Sequence, residues 1–248
     1  MPSARSQRVR VKVTVSVIFT AALIAGCGSG GDAKSNPGPP QASQGSPSAE
    51  RSRTQPPPDA SSGPLSADRL EAAALSGTVD NFQIADWPAR SHGGSRAEPT
   101  ACQPVENMRI ADPAPAPKAI VGKVAYATSG PSVGSATTIG LMAYDQSGAE
   151  RILSGLHASL EKCTSYDGGV PARTAVQAVA APDAGDDALA FQLNSEGKSQ
   201  PDLIAVVRTG ATVVLFITAS GTGAPAELPD NLVTAQINKL ERITGERP

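Results

Sequence analysis

Hydrophobic residues are distributed unevenly along the chain, and this distribution predicts its organisation. An apolar run at 13–25 is followed by 37 residues, 28–64, without a single Val, Ile, Leu, Met, Phe, Tyr or Trp. Regular apolar spacing then begins at Leu65. A segment without apolar side chains cannot offset its conformational entropy by burial. We therefore expect a disordered Gly/Ser/Pro-rich tether at 27–64 and one folded domain at 65–248.

Three segments of that domain carry apolar residues at the three- and four-residue spacing of a helix. The first opens at Ser66, a residue type that caps helices, and ends before Gly77. The second covers 150–163, and its inward face is formed by Ile152, Leu153, Leu156, Leu160 and Cys163. The third runs from about 229 to 243, with Val233, Ile237 and Leu240 inward.

Strand patterns fill most of the remaining domain. They are predicted at 79–84, 119–128, 137–144, 174–180, 187–193, 202–208 and 212–219. The segments 203–207 and 213–217 have apolar residues at both odd and even positions, which indicates strands covered on both faces. Short turns, such as the one at Gly210, favour an antiparallel sheet packed with helices, an α+β domain. Residues 88–118 show no regular pattern and predict a long irregular segment.

The first 27 residues predict a bacterial lipoprotein signal. Four basic residues precede the apolar run, which ends in small residues immediately before Cys27. The run is shorter than the roughly 20 apolar residues of a membrane-spanning helix. We expect cleavage after residue 26 and lipidation of Cys27, with palmitate among the acyl chains, at the outer face of the cell membrane. A retained membrane-spanning anchor is the weaker interpretation.

The charge balance limits the partners. Four of the 21 Lys and Arg residues and none of the 23 Asp and Glu residues lie at 1–26, so the rest of the chain carries a net charge of −6. An acidic chain argues against nucleic-acid binding, which needs a clustered basic surface. It also argues against electrostatic attachment to anionic lipids, so the acyl chains themselves must hold the protein. The bias toward Arg and Ala is typical of high-GC actinobacteria.

The three cysteines predict one disulfide bond. If Cys27 is lipidated, Cys102 and Cys163 remain in an exported and oxidising compartment. The bond would tie the irregular segment to the helix at 150–163, and the alternative is a pair of free buried thiols. The two histidines, His92 and His157, have no metal-ligand spacing, and we expect neither a metal nor a cofactor.

The C-terminal third resembles a known family. It contains GDDALAFQL from Gly185, then DLIAVVRTGATVVLFITA and PDNLVTAQINKLERI, and a helix ending in a cysteine precedes it. This order is similar to the extracytoplasmic sensor domain of PknH-type actinobacterial kinases, over residue 65 to the C-terminus. The resemblance implies an antiparallel sheet flanked by helices, a cleft, and binding of an unidentified envelope ligand. Such domains usually have two cysteine pairs and this chain has one. It also has no kinase segment, so signalling to the cytoplasm is not implied.

Candidate catalytic motifs are weak. Residues 130–134 match GxSxG around Ser132, but a nucleophile elbow needs a following helix, and a strand pattern follows here. The motif therefore indicates a hairpin loop. His157, with Glu161 one turn later, fits an ordinary half-exposed helical histidine. The acids Asp183, Asp186 and Asp187 lack the spacing of an EF-hand and are typical of a turn.

Three functional classes remain. We favour a non-catalytic ligand-binding or sensor-like lipoprotein, whose ligand would lie near Trp87, Tyr126, Tyr144 and the loop at 129–136. Trp87 has an alternative role as a packing anchor for the sheet. A structural or partner-docking envelope protein is the second class, and an esterase using Ser132 is the third. A cleft would favour the first class and an exposed apolar patch the second.

Overall fold

The computed structural model describes residues 63–88, 94–130, 132–168, 173–221, 223 and 226–245. Four helices, α1 to α4, span Ala67–Ala73, Gln103–Arg109, Gln146–Leu160 and Asp230–Thr244, and a 3-10 turn at Thr100–Cys102 precedes α2. The strands β1 to β9 span Gly77–Val79, Phe82–Asp86, Ala119–Ala127, Ser135–Ala143, Ser165–Asp167, Arg173–Val179, Asp187–Ser195, Asp202–Thr209 and Thr212–Ser220.

All nine strands belong to one antiparallel sheet in the order β1-β2-β3-β4-β9-β8-β7-β6-β5. The predicted α+β class is confirmed. The strands that are apolar at both parities, β8 and β9, lie at the centre and are buried along most of their length. Their connecting turn places Gly210 at φ 55°, a conformation that glycine adopts at little cost.

Helices cover the two faces of the sheet unequally. On one face, here the α1/α4 face, Leu70 of α1 and Leu232, Ile237 and Leu240 of α4 pack on strands from β2 to β8. On the opposite face, the α2/α3 face, Val105, Met108, Ile152, Leu153 and Leu156 pack mainly on β4, β9, β8, β7 and β6. Strand β3 contributes only Ile120 to this second cluster, and β2 contributes nothing. The α2/α3 face of β2 and β3 is therefore outside the core under the helices, although Val124 on this face of β3 is buried.

Two predicted elements are wrong. The single strand at 79–84 is a hairpin, in which β1 and β2 are joined at Asp80 and Asn81, with Asp80 at φ 48°. Both are residue types that tolerate a left-handed turn. The segment 88–118 is also not wholly irregular, because it contains the 3-10 turn and α2. Pro104 lies in the first turn of α2, where its missing N–H is not needed, and Val105 and Met108 bury one face.

Helix α3 begins four residues before its predicted start. Asp145 caps it by accepting a hydrogen bond from the Gly148 N–H at 2.6 Å. Cys163 lies beyond the last helical residue but is buried, as predicted. The strand β5 was not predicted, since three residues carry too little periodicity. Ser66 caps α1 as predicted, and Val233, Ile237 and Leu240 lie on the buried face of α4 as predicted.

Cys102 and Cys163 form a disulfide bond across 61 positions. It joins the 3-10 turn before α2 to the segment after α3. None of the helices within the described ranges is both long and apolar enough to cross a membrane. The predicted leader, Cys27 and nearly all of the tether lie outside the described residues.

Candidate functional site

The exposed large apolar side chains of the described residues lie just after β2, on β3 and in the β3–β4 loop. They are Trp87, Tyr126 and Val133, which are 46%, 46% and 48% exposed. We call these three residues the aromatic corner. Exposed Trp and Tyr side chains are common in binding surfaces, since these rings bury much area at a low entropy cost.

Strand register places Trp87 and Tyr126 on the same face. Ile84 and Ala125 point into the α1/α4 core, so their alternating neighbours point to the α2/α3 side. Tyr126 is opposite Gln83, and the backbone N–H of Trp87 donates to the Gly122 carbonyl at 3.0 Å. Gly122 precedes Tyr126 by four residues, so the two aromatic side chains are separated by about 13 Å along the strand.

Hydrogen bonds fix the loop that carries Val133. The Asn81 side-chain amide donates to the Ser129 carbonyl, and the Thr128 N–H donates to the Asn81 carbonyl, both at 2.8 Å. On the other side, a side chain at Gly221 would meet the Gly134 carbonyl oxygen at 2.1 Å. The β1–β2 turn and the end of β9 therefore hold the β3–β4 loop in place.

Tyr144 does not belong to this surface. It is buried, and its N–H donates to the Ala211 carbonyl at the opposite end of β4 from Ala136, the residue paired with Tyr126. Eight residues of strand separate these two ends, about 26 Å. Burial raises the pKa of Tyr144, and its hydroxyl has no hydrogen-bond partner among the described residues. The expectation that Tyr144 lies near the mouth of a binding site is corrected.

A buried lysine lies next to the aromatic corner. Lys123 is on β3 but points to the α1/α4 side, where it binds Glu71 of α1 and Asp86 of β2, the latter at 2.6 Å. Burial lowers the pKa of Lys123, but the hydrogen bonds to Asp86 and Glu71 outweigh it and hold that pKa above its usual value. The lysine stays charged and joins α1 to the strand that carries Trp87.

A second buried charge, which was not predicted, lies on the α2/α3 side of the sheet. Glu106 of α2 is fully buried and accepts two hydrogen bonds from Arg109 and one from Tyr166, all at 2.6 Å. Burial raises the pKa of Glu106, but the bonds from Arg109 and Tyr166 more than compensate and the pKa lies below its usual value. The three hydrogen bonds at 2.6 Å come from α2 and β5. The cluster therefore fixes α2 to the sheet and leaves no group free for chemistry.

The candidate catalytic residues are not assembled. Ser132 is in the β3–β4 loop, where its carbonyl accepts from the Ser135 N–H at 3.0 Å. His157 is a half-exposed helical residue, as predicted, and its side chain approaches Asp187 at 3.4 Å. Asp186 accepts from the Gly210 N–H and from Arg208, which gives it a role in the turn. Within the described ranges, no three His, Cys, Asp or Glu side chains are grouped to hold a metal ion.

No protein-family model matches the sequence, and no curated protein matches it either. Among solved structures, the extracellular domain of PknH from Mycobacterium tuberculosis matches with a TM-score of 0.51 at 10% sequence identity. The match covers 73% of this chain and 98% of that domain. An uncharacterized protein from Mycobacterium smegmatis, the Rv0999 ortholog, matches with a TM-score of 0.34 at 13% identity, over 72% of this chain and 93% of that one. The chain therefore has the fold of the PknH extracellular domain, in agreement with the resemblance seen in the sequence.

Proposed function

We propose that the protein is an extracytoplasmic lipoprotein with a non-catalytic binding domain, and that the aromatic corner contacts its ligand or partner. The observation that carries this proposal is the exposure of Trp87 and Tyr126 on one face of the sheet, outside the helix-covered core. The fold shared with a kinase's extracellular domain agrees with such a role. Fold alone does not determine function, so the surface carries the argument.

The attachment to the membrane rests on the sequence. The leader, the small residues before Cys27 and the tether fit a lipid anchor that holds the domain above the outer face of the membrane. Replacement of Cys27 by Ser is expected to release the protein from the membrane or to leave its leader uncleaved. An unmodified Cys27 in processed, membrane-bound protein, seen by intact mass, would contradict the anchor.

The second candidate function is docking to another envelope protein. The aromatic corner is an open surface, and open apolar patches fit macromolecular partners better than small molecules, which prefer concave sites. The two candidates predict different ligands from the same surface. A low-molecular-mass ligand in the bound fraction supports the first, and a protein supports the second.

Thermal unfolding of the full-length protein in the presence of cell-envelope extract tests the binding surface. A fraction that holds the ligand far above its dissociation constant is expected to raise the melting temperature by about 5 °C. The double variant Trp87→Ala, Tyr126→Ala should lose this increase. Arg151→Ala, which changes an exposed residue of α3 away from the corner, should keep it. An equal increase in the double variant would contradict the proposal.

The same preparation tests the esterase alternative. We expect no turnover of simple ester, amide or phosphoester substrates, because Ser132 has no hydrogen bond to a histidine within the described residues. Hydrolysis that disappears in Ser132→Ala would replace the binding proposal by a hydrolase.

A further inference from the structure

The edge strand β6 is open along its C-terminal half. Strand β5 pairs only with residues 173–175 of β6, and Val176 donates to the Thr164 carbonyl at 2.8 Å. After Val176, the strand pairs only with β7 on its inner side. Since backbone groups alternate along a strand, the Ala178 N–H and C=O point to the outer side, where no described strand lies.

This edge lacks the features that usually protect an open strand. Residues 174–182 contain no charged residue and no glycine, and only Pro182 closes the run. Natural edges are commonly short, charged or interrupted by proline, because free backbone groups pair with other chains. At the opposite edge β1 also has only three residues, but the strand beside it, β2, carries the charged Asp86, and Pro88 follows shortly after.

A groove runs beside the open edge on the α2/α3 side. It has a volume of about 320 Å³ and lies between the end of α3 and strands β6 and β7. Its lining residues are His157, Leu160, Glu161, Ala178, Val179, Ala181, Ala188, Leu189 and Ala190. The volume is at the small end of ligand sites and holds a few side chains. The alternate side chains of an added strand would enter this groove while its backbone pairs with Ala178.

The charges around the groove select the occupant. Glu161 lines it, Asp187 reaches His157 at its wall, and Asp183 directly follows the open edge. Two basic residues are near these acids: Lys162 follows Glu161 in the sequence, and Arg208 is opposite Asp187 in the β7–β8 pairing and binds Asp186. Among the described residues of the whole domain, acids also outnumber bases. A second copy of this acidic domain would be repelled, whereas a peptide with a Lys or Arg side chain would be attracted.

We propose that the open edge of β6 binds an extended peptide segment of a partner protein, which adds to the sheet as a tenth strand. Small apolar side chains of the peptide occupy the groove, and a basic side chain faces Glu161 and Asp187. Peptide recognition of this kind takes affinity from main-chain hydrogen bonds and specificity from pockets for alternate side chains. This surface is at the other end of the strand order from β2 and β3, which carry the aromatic corner, so the inference is independent of the proposed function.

Selection of random nine-residue peptides by phage display on the full-length protein tests the proposal. The enriched peptides should alternate apolar and polar residues and carry a Lys or Arg. Ala178→Pro removes the outward N–H at a position where an edge strand tolerates proline, and it should weaken peptide binding at least about tenfold. Gln177→Ala, which changes the neighbouring exposed side chain on the opposite face, should bind within about twofold of the original protein. Circular dichroism verifies that both variants remain folded.

Amide hydrogen exchange gives a second measurement that needs no variant. A selected peptide should slow the exchange of the Ala178 amide and leave the amides of β2 unchanged. Unchanged exchange at Ala178, equal binding to Ala178→Pro, or no enrichment of peptides would overturn the proposal. So would a dimer that Ala178→Pro dissociates in sedimentation equilibrium, because the edge would then belong to a second copy.

Discussion

At the scale of single residues, the two buried charges have structural explanations. Lys123 and Glu106 each have partners of opposite charge, and each connects a helix to the sheet. An uncompensated buried charge would be very costly, so removal of one partner is far more damaging than replacement of the whole pair by apolar residues. The partnered state also explains why the pKa of Lys123 is raised and that of Glu106 is lowered.

The Glu106 cluster predicts a pH-dependent contribution to stability. Glu106→Gln should lower the free energy of unfolding near neutral pH by about 3 kcal/mol, because Arg109 loses its charged partner. Since the pKa of Glu106 is lowered in the folded state, the carboxylate stabilises the fold above its usual pKa of 4.5, and this contribution is lost as the pH falls below that value. The difference between the two proteins should therefore shrink on acidification.

Urea unfolding from pH 7 to pH 3 measures this difference. Glu150→Gln, on the exposed side of α3, is the matched control and should change little at any pH. A difference for Glu106→Gln that stays constant down to pH 3 would contradict a charged Glu106.

At the scale of the elements, the segment before α2 depends on long-range contacts. Its attachments are the disulfide bond, the Glu106–Tyr166 hydrogen bond and the paired backbone bonds between Glu98 and Asp167, at 2.7 and 2.9 Å. A helix of seven residues is marginal by itself, so tertiary packing must stabilise α2. The three attachments supply that packing from β5 and from the end of α3.

Removal of the disulfide bond should destabilise the protein strongly. The double variant Cys102→Ala, Cys163→Ala is expected to lose about 4 kcal/mol, the chain-entropy value for a closed loop of this length. Protease cleavage between residues 94 and 118 should become faster, since this segment then loses its covalent attachment to the end of α3. Equilibrium urea unfolding and limited proteolysis check both expectations. A loss below about 0.5 kcal/mol, the size of an ordinary surface substitution, would contradict the structural role of this bond.

The sequence predicts the long elements and misses the short ones. Strands β3, β4 and β6 to β9 have seven to nine residues, enough for a clear alternation of apolar and polar positions. Strand β5 has three residues and exists because β6 pairs with it. Helix α2 was obscured by Pro104 and by the prolines that follow at 113, 115 and 117, although Val105 and Met108 carry a helical spacing.

Candidate site residues are harder to predict, because only the pairing of strands that are distant in the sequence brings them onto one face. Trp87 and Tyr126 are 39 positions apart, and only the β2–β3 pairing places them on one face. Tyr144, just after β4, is a tyrosine that points to the same face of the sheet as Tyr126, yet it is buried. The Glu106–Tyr166 contact spans 60 positions and has no local pattern.

At the scale of the whole molecule, the uneven cover of the sheet is the feature most relevant to function. Helices cover one face broadly, whereas on the other face they leave β2 and β3 outside the core. The aromatic corner is on these two strands, and the open edge of β6 is on the far side. The proposed ligand surface and the proposed peptide surface are therefore separate regions of one sheet.

The emission of Trp87, the only tryptophan of the chain, tests the central claim most directly. The side chain is half exposed, so a ligand on the aromatic corner must change its surroundings. An envelope fraction that raises the melting temperature of the full-length protein should shift the emission of Trp87 to shorter wavelength and protect it from acrylamide quenching. Thermal stabilisation with unchanged emission and unchanged quenching would place the ligand elsewhere and contradict the account.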